Sequence, residues 1–576
     1  MKKFTLIAIL LSILAVGISC QQQKKSSTIH VDTEFDNGSG IVFPPIDEQL
    51  ITNLELLGKL WGFLKYHHPQ VAKGNYNWDY ELFRFIPTYL KTDSNDERDK
   101  TLLDWITKYG DIPACTTCKE TPSDAYLKPD FSWVEKGNIH SDLKDKIYEI
   151  YKNRNQGRHY YISSPGGIPE FVHENPYSKM VYPDAGFRLL ALYRYWNIIH
   201  YFFPYKYITD KNWDDMLNEY IPMFISAQSR LDYQLAAVQI IGDINDTHAN
   251  LNYSDNEIQK FRGHYYAPFN VRFVEEKWVV ITNNNTEIQT INDCLLIGDI
   301  ITHIDGKTVE SIIDSIRIFY PASNEAVRMR DISGSLLRSK NNVMNIRYIS
   351  SGQEKQKELS LFPKDMIHRS VVNIRPNDKY HKQIMDGNIG YITLDIIDSK
   401  DISEIIEKFK NTKGIIIDIR CYPKTFVPYR LGSFFVSKST PFVKLTKGNI
   451  NNPGEFTFFR TEEVPTKGET YQGKLVILVN ERTVSQAEFT AMAFKAGDNT
   501  TIVGSTTAGA DGNVSSIYLP GGLYTKFTAI GVYYPNGTPT QRIGIVPDVW
   551  VEPTINGIIQ RRDEVLEKAI EIIQQL

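Results

Sequence analysis

Residues 475–488, LVILVNERTVSQAE, constrain this chain more than any other stretch. Leu475–Val479 is an unbroken apolar run of strand length, the pattern of a strand buried on both faces. A short polar turn follows from Asn480. Beyond it Phe489, Met492, Ala493 and Ala496 recur at i, i+3, i+4 and i+7, the period of a helix with one apolar face. The chain therefore passes from a buried strand into a helix at Ser485. Two readings of that serine stand side by side. Ser485-x-x-Glu488 is the pattern of a capping box, in which the serine only closes the start of the helix. A serine at such a junction is also well placed as a nucleophile. Its side chain projects from a rigid element, and the first free N–H groups of the helix can stabilise an oxyanion. Spacing alone does not go beyond the cap.

Two later stretches extend the pattern: Ile502-Val503-Gly504-Ser505-Thr506-Thr507-Ala508-Gly509 and Gly544-Ile545-Val546-Pro547-Asp548. With Ser485-Gln486-Ala487-Glu488 they resemble the serine peptidases of the C-terminal processing (tail-specific) and tricorn-core family. The resemblance covers about the last 330 residues, from His248 onward. It implies that Ser485 is the nucleophile and that the Gln486 N–H is an oxyanion donor. Asp246-Thr247-His248-Ala249-Asn250-Leu251 has the Asp-x-His-x-x-Leu form in which tricorn-type members carry their histidine base, so the resemblance gives that role to His248. A lone histidine without this context reads as a core or surface residue.

The chain departs from the family at three places. Tail-specific members use a lysine after Thr-x-Gly. Here Thr507-Ala508-Gly509 is followed by Ala510, so that residue supplies no amine, and Lys495 has the phase of a solvated helix residue. Tricorn-type members orient the histidine with a glutamate three residues before Gly-x-x-Pro-Asp, and Gln541 stands there instead. A glutamine can hold the ring but brings no charge to stabilise an imidazolium. The glycine-rich loop after Asp-x-Arg reads Cys421-Tyr422-Pro423-Lys424-Thr425, without glycine, and Pro423 has no N–H. The second oxyanion donor is then Tyr422 N–H, Lys424 N–H, or absent. Asp418 and Arg420 read as a structural pair. The working constellation is Ser485, His248, Gln541 and the Gln486 N–H.

The first twenty residues read as an export signal: Lys2 and Lys3, an apolar run from Leu6 to Val16, then Gly17-Ile18-Ser19-Cys20. The last four resemble a lipoprotein cleavage box, with lipid on Cys20. An ordinary secretory signal is the alternative. Residues 21–45 read as a tether. The expected location is the cell envelope, lipid-anchored, in the outer rather than the inner membrane. A net charge of −4 offers no basic surplus for nucleic acid. Cys115-Thr116-Thr117-Cys118 has no second cysteine pair to complete a zinc ribbon, and outside the cytoplasm it can close as a disulfide. No metal and no cofactor are expected.

The chain reads as a multidomain α/β protein. Residues 46–150 and 151–262 form a helical region with an internal repeat. Trp61-x7-Pro69 returns as Trp196-x7-Pro204, Trp78-Asp79 as Trp213-Asp214, and Ile86-Pro87 as Ile221-Pro222, all offset by 135 positions. His67 and His68 fall where the second copy has Phe202 and Phe203, which marks them as packing or surface residues. Residues 263–365 alternate like strands, and Gly298-Asp299-Ile300-Ile301-Thr302-His303-Ile304-Asp305-Gly306 resembles a bacterial PDZ domain. Residues 366–576 form the catalytic domain, crotonase-like in the family fold. The expected function is an envelope-anchored serine endopeptidase acting on peptides or unfolded proteins, which the PDZ module can select by their C-termini. The rival is a weak or inactive peptide-binding lipoprotein of the same fold.

Overall fold

The front of the chain is built on two long buried helices, α1 (Glu48–His67) and α2 (Ala185–Phe202). In the computed structural model the described residues are 32–252, 257–283, 295–367 and 383–575. The expected export signal, Cys20 and Cys294 lie outside them. Asn37–Leu576 cluster as one unit. In each half of the helical region two tryptophans exchange indole N–H bonds with one another's backbone carbonyls. Trp61 and Trp78 do so at 3.1 and 2.9 Å, Trp196 and Trp213 at 2.8 and 3.2 Å. These are the four tryptophans of the duplicated pattern. The two helices approach closely because Gly62 leaves room for Asn197; a Cβ at Gly62 would lie 1.9 Å from the Asn197 side chain.

Buried charges tie the two halves together. Lys65 meets Glu174 at 2.6 Å, and Arg194 meets Glu174 at 2.8 Å and Asp79 at 2.7 Å. Such groups are costly to desolvate and persist only when paired. Cys115 and Cys118 are joined as a disulfide.

A sheet follows, whose main strands are β1 (Phe269–Val274), β2 (Lys277–Asn283), β3 (Ile300–Ile304), β4 (Val343–Ser350) and β5 (Gln353–Ser360), with the short strand Lys307–Thr308 paired to β3 off the main path. Its order is β5-β4-β3-β2-β1, antiparallel throughout, with β1 at the edge. Helix α3 (Glu325–Ser333) packs beside β1. Phe269, Val271, Trp278, Val280, Ile301 and Ile346 share the core.

The last third is an open sheet. Its strands are β6 (Gln383–Met385), β7 (Ile389–Thr393), β8 (Gly414–Asp418), β9 (Lys474–Val479), β10 (Thr500–Gly504) and a short strand, Val549–Trp550. They lie in that order, parallel except for β6. Residues of β8 and β9 are buried on both faces, as a parallel sheet requires. Each buried Val, Leu or Ile contributes roughly 1.5–3 kcal/mol. Helices α4 (Ile402–Phe409) and α5 (Gln486–Lys495) cover one face, and α6 (Glu564–Gln574) covers the other. A hairpin, Val514–Leu519 with Leu523–Thr528, reaches back to the helical region, where Arg194 donates to the Tyr518 carbonyl at 2.8 Å. The fold is thus mixed α/β with a helical front. No helix among the described residues is long and apolar enough to cross a membrane.

Candidate active site

Ser485 stands between β9 and α5, at the N-terminus of the helix. Its backbone is not that of an ordinary cap. Ser94 and Ser229 cap other helices here in extended conformations, at φ −145°, ψ 161° and φ −142°, ψ 164°. Ser485 has φ 58°, ψ −122°. That region costs a non-glycine residue about 1–3 kcal/mol and persists only where the surroundings enforce it. A sharp, strained strand-to-helix turn is how serine nucleophiles are presented above an α/β sheet. The capping box with Glu488 is also present, so the two readings of the sequence coexist.

What enforces the turn is the loop 507–510. The Ser485 N–H donates to the Ala510 carbonyl at 3.0 Å and to Glu488 Oε2 at 3.3 Å. Glu488 is fully buried and also accepts from Thr507 Oγ1, from Gly509 N–H at 2.7 Å and from Ala510 N–H at 3.0 Å. Burial raises its pKa above the usual carboxylate value, against the opposing pull of these donors. Asp511 beside it is raised well above its ordinary value, by burial first and by the Glu488 charge second.

The segment bearing His248 reaches the same loop through Thr247. Thr247 Oγ1 donates to the Ala508 carbonyl at 3.4 Å, and Thr247 N–H donates to Ser323 Oγ at 2.7 Å. His248 Nδ1 lies 2.8 Å from Thr528 Oγ1 and 3.6 Å from Asp246 Oδ1. Its ring is partly open to solvent. The segments bearing Ser485 and His248 therefore hold neighbouring residues of one loop.

Gln541, expected as the orienter, makes its hydrogen bonds elsewhere. Its Nε2 donates to the Asn245 carbonyl at 3.1 Å and lies 3.5 Å from Ser323 Oγ. Its place beside Nδ1 is taken by Asp246 and Thr528, which sequence reasoning missed. The Asp-x-His pattern carried half of that signal. Thr528 is 280 residues from His248 and carried none.

Gln486 is the first residue of α5, so its N–H points out of the helix unpaired. Its side chain donates to the Thr425 carbonyl at 3.0 Å and holds the loop 421–425 beside it. Of the alternatives for a second donor, Lys424 N–H is spent on the Leu394 carbonyl at 2.9 Å, so that either Tyr422 N–H or no donor stands there. Arg420 clamps the base of this loop. It bonds Asp418 at 2.7 Å and Asp563, the cap of α6, at 2.7 and 2.8 Å. Burial works to raise the Asp418 pKa, but the Arg420 guanidinium and the Tyr391 hydroxyl hold it below the usual range. Lys495 pairs with Asp548, away from any role as a base. His67 and His68 are buried in the helical core.

A cavity of about 790 Å³ opens between the edge strand β1, helix α3 and the carboxyl ends of the sheet strands. Arg272 of β1 pairs with Glu481 at 2.9 Å, and Arg330 of α3 donates to the Glu481 carbonyl at 2.7 Å. Asn324, the cap of α3, donates to the Thr507 carbonyl at 2.8 Å. The second module thus touches both the turn before Ser485 and the loop that holds it.

Residues 388–551 match the family model of Peptidase family S41. A carboxy-terminal-processing protease of Bartonella bacilliformis is 25% identical over 270 residues, 45% of this chain and 55% of that protein. A Chlamydia trachomatis protein is 29% identical over 136 residues, 23% of each chain. The chain thus spans about half, or less, of the length of these curated relatives. The solved structure of mature CPAF complexed with lactacystin superposes with a TM-score of 0.53 at 15% identity, covering 68% of this chain and 98% of that one. At that identity the likeness is one of fold.

Proposed function

We propose, on the premise that residues 388–551 form a Peptidase family S41 domain, that this protein is a serine-type endopeptidase acting on peptides or unfolded proteins. The observation that carries this reading is the strained backbone of Ser485 at the strand-to-helix turn, fastened to the loop that also receives the His248 segment. In the proposed reaction Ser485 Oγ attacks the scissile carbonyl while His248 Nε2 takes its proton. The Gln486 N–H, with the Tyr422 N–H as second donor, steadies the oxyanion. His248 then gives the proton to the departing amine, and water releases the acyl group from Ser485 by the reverse relay.

The module of residues 263–365 is read as PDZ-like, and the residues after it as a crotonase-like catalytic domain. The position of β1 at the end of the sheet order, beside α3, is the arrangement in which an extended peptide adds as a strand. Selection of substrates by C-terminus through this groove is part of the proposal. So are the lipid anchor on Cys20 and a place in the cell envelope.

The competing reading is a peptide binder of the same fold with little turnover. Ala510 in the lysine position and Gln541 in the glutamate position favour it. Digestion of an unfolded protein such as casein separates the two. Wild type is expected to cleave, with Ser485→Ala and His248→Ala reduced by about 10³-fold or more. Binding without cleavage by all three proteins supports the binder. Equal cleavage by all three overturns the site.

A further inference from the structure

We propose that Asp246, together with Thr528, is the element that orients His248 and fixes its tautomer, the part that Gln541 leaves unfilled. This deepens the serine-peptidase reading and rests on it. Asp246 is completely buried and sits two residues before His248 in the same turn. Its Oδ1 accepts the His248 backbone N–H at 3.0 Å and lies 3.6 Å from Nδ1. Its Oδ2 accepts the Thr528 N–H at 2.6 Å. One carboxylate therefore grips both the histidine and the strand residue whose Oγ1 stands 2.8 Å from Nδ1.

The chemistry follows from where the negative charge lies. A neutral imidazole carries one N–H, and a carboxylate beside Nδ1 favours the proton there. Nδ1–H then donates to Thr528 Oγ1, and Nε2 keeps its lone pair for the serine proton. When His248 takes that proton, the imidazolium forms next to a buried anion that has no proton to give up. Burial works to raise the Asp246 pKa, but hydrogen bonding and attraction from His248, with the Thr528 N–H, hold it below the ordinary value. The other titratable groups that feel its charge are Tyr195 and Tyr205, whose hydroxyls burial raises well above their ordinary value. Both stay neutral across the working range.

Gln541 becomes intelligible in this arrangement. Its amide holds the Asn245 carbonyl, one residue before Asp246, and so supports the turn rather than the ring. A glutamate in its place would set a second buried anion close to Asp246.

The test compares full-length wild type, Asp246→Asn, Thr528→Val and Gln541→Ala in peptide hydrolysis across pH, with thermal unfolding as a fold control. For Asp246→Asn, kcat is expected to fall about 10²–10⁴-fold with little change in KM. The acid limb of its pH–rate profile should move to lower pH, because the charge that favours imidazolium is gone. Thr528→Val is expected to lose about tenfold, and Gln541→Ala less than Asp246→Asn, with an unmoved profile. A folded Asp246→Asn protein that keeps kcat within about threefold and the same profile overturns the proposal. Should Asp246→Asn fail to fold, ¹⁵N NMR of wild-type histidines decides. Nδ1–H on His248 at neutral pH supports the proposal, and Nε2–H overturns it. A wild type that takes no serine-reactive label at Ser485 would instead overturn the nucleophile assignment and leave the tautomer result standing.

Discussion

The carbonyl of Ala510 accepts the backbone N–H of Ser485 at 3.0 Å. Ala510 thus contributes main chain to the turn that carries the serine. Its service is to hold the serine in a conformation that serine does not otherwise favour. In the proposed reaction, the rate then depends on how firmly the loop 507–510 is kept in place.

Glu488 is what keeps it there, and its replacement makes the first prediction. The carboxylate takes four donors at once: Ser485 N–H, Thr507 Oγ1, Gly509 N–H and Ala510 N–H. Glu488→Gln turns one acceptor into a donor that faces donors. The expected cost is about 1–3 kcal/mol of stability. The rate of Ser485 acylation should also fall by about tenfold or more, since small misplacements of a reacting atom are expensive. Denaturant unfolding and acylation kinetics check the two parts. Unchanged values in both would show that the loop is held by something else.

A second prediction concerns the clamp under the loop 421–425. Arg420→Met leaves Asp418 buried without its cation and frees Asp563. Breaking one side of such a network costs about 3–5 kcal/mol. Asp563→Asn alone is expected to cost less, because Arg420 keeps Asp418. A double-mutant cycle on the two positions measures the coupling. A loss under about 1 kcal/mol for Arg420→Met would contradict the clamp.

The helical core makes the protein sensitive to acid. Burial lowers the pKa of His67 from 6.5 to about 3 and that of His68 from 6.5 to about 4. Between 6.5 and those values the unfolded chain binds protons that the folded chain refuses. Stability is therefore complete above pH 6.5 and falls as pH drops through that window. Each histidine contributes up to about 1.4 kcal/mol per pH unit. His67→Phe, the residue that the second copy has at 202, should flatten the dependence. Urea midpoints followed from neutral pH into the acid range test this, and a curve parallel to wild type would contradict it.

Local pattern made some of the fold legible. The apolar run Leu475–Val479 gave a buried strand, and the period from Phe489 to Ala496 gave the helix α5. Asp418 and Arg420 read as a pair in the sequence, but the third member of the clamp, Asp563, did not. No local pattern reports a partner 143 residues away. The site shows the same limit. Ser485 and His248 were singled out because short motifs surround them. Glu488 was visible only as the third residue of a capping box, since its other partners arrive from residues 507–510 through the tertiary fold. Lys424 was offered as an oxyanion donor because spacing does not reveal that the Leu394 carbonyl has taken its N–H.

The central claim is that the strained serine at the head of α5 reacts. It is tested most directly by treating the protein with a fluorophosphonate and locating the adduct by peptide mass spectrometry. The account predicts one adduct, on Ser485, absent from Ser485→Ala and formed much more slowly in His248→Ala. A wild type that stays unlabelled under conditions that label a control serine hydrolase, or labelling that survives Ser485→Ala, would contradict it.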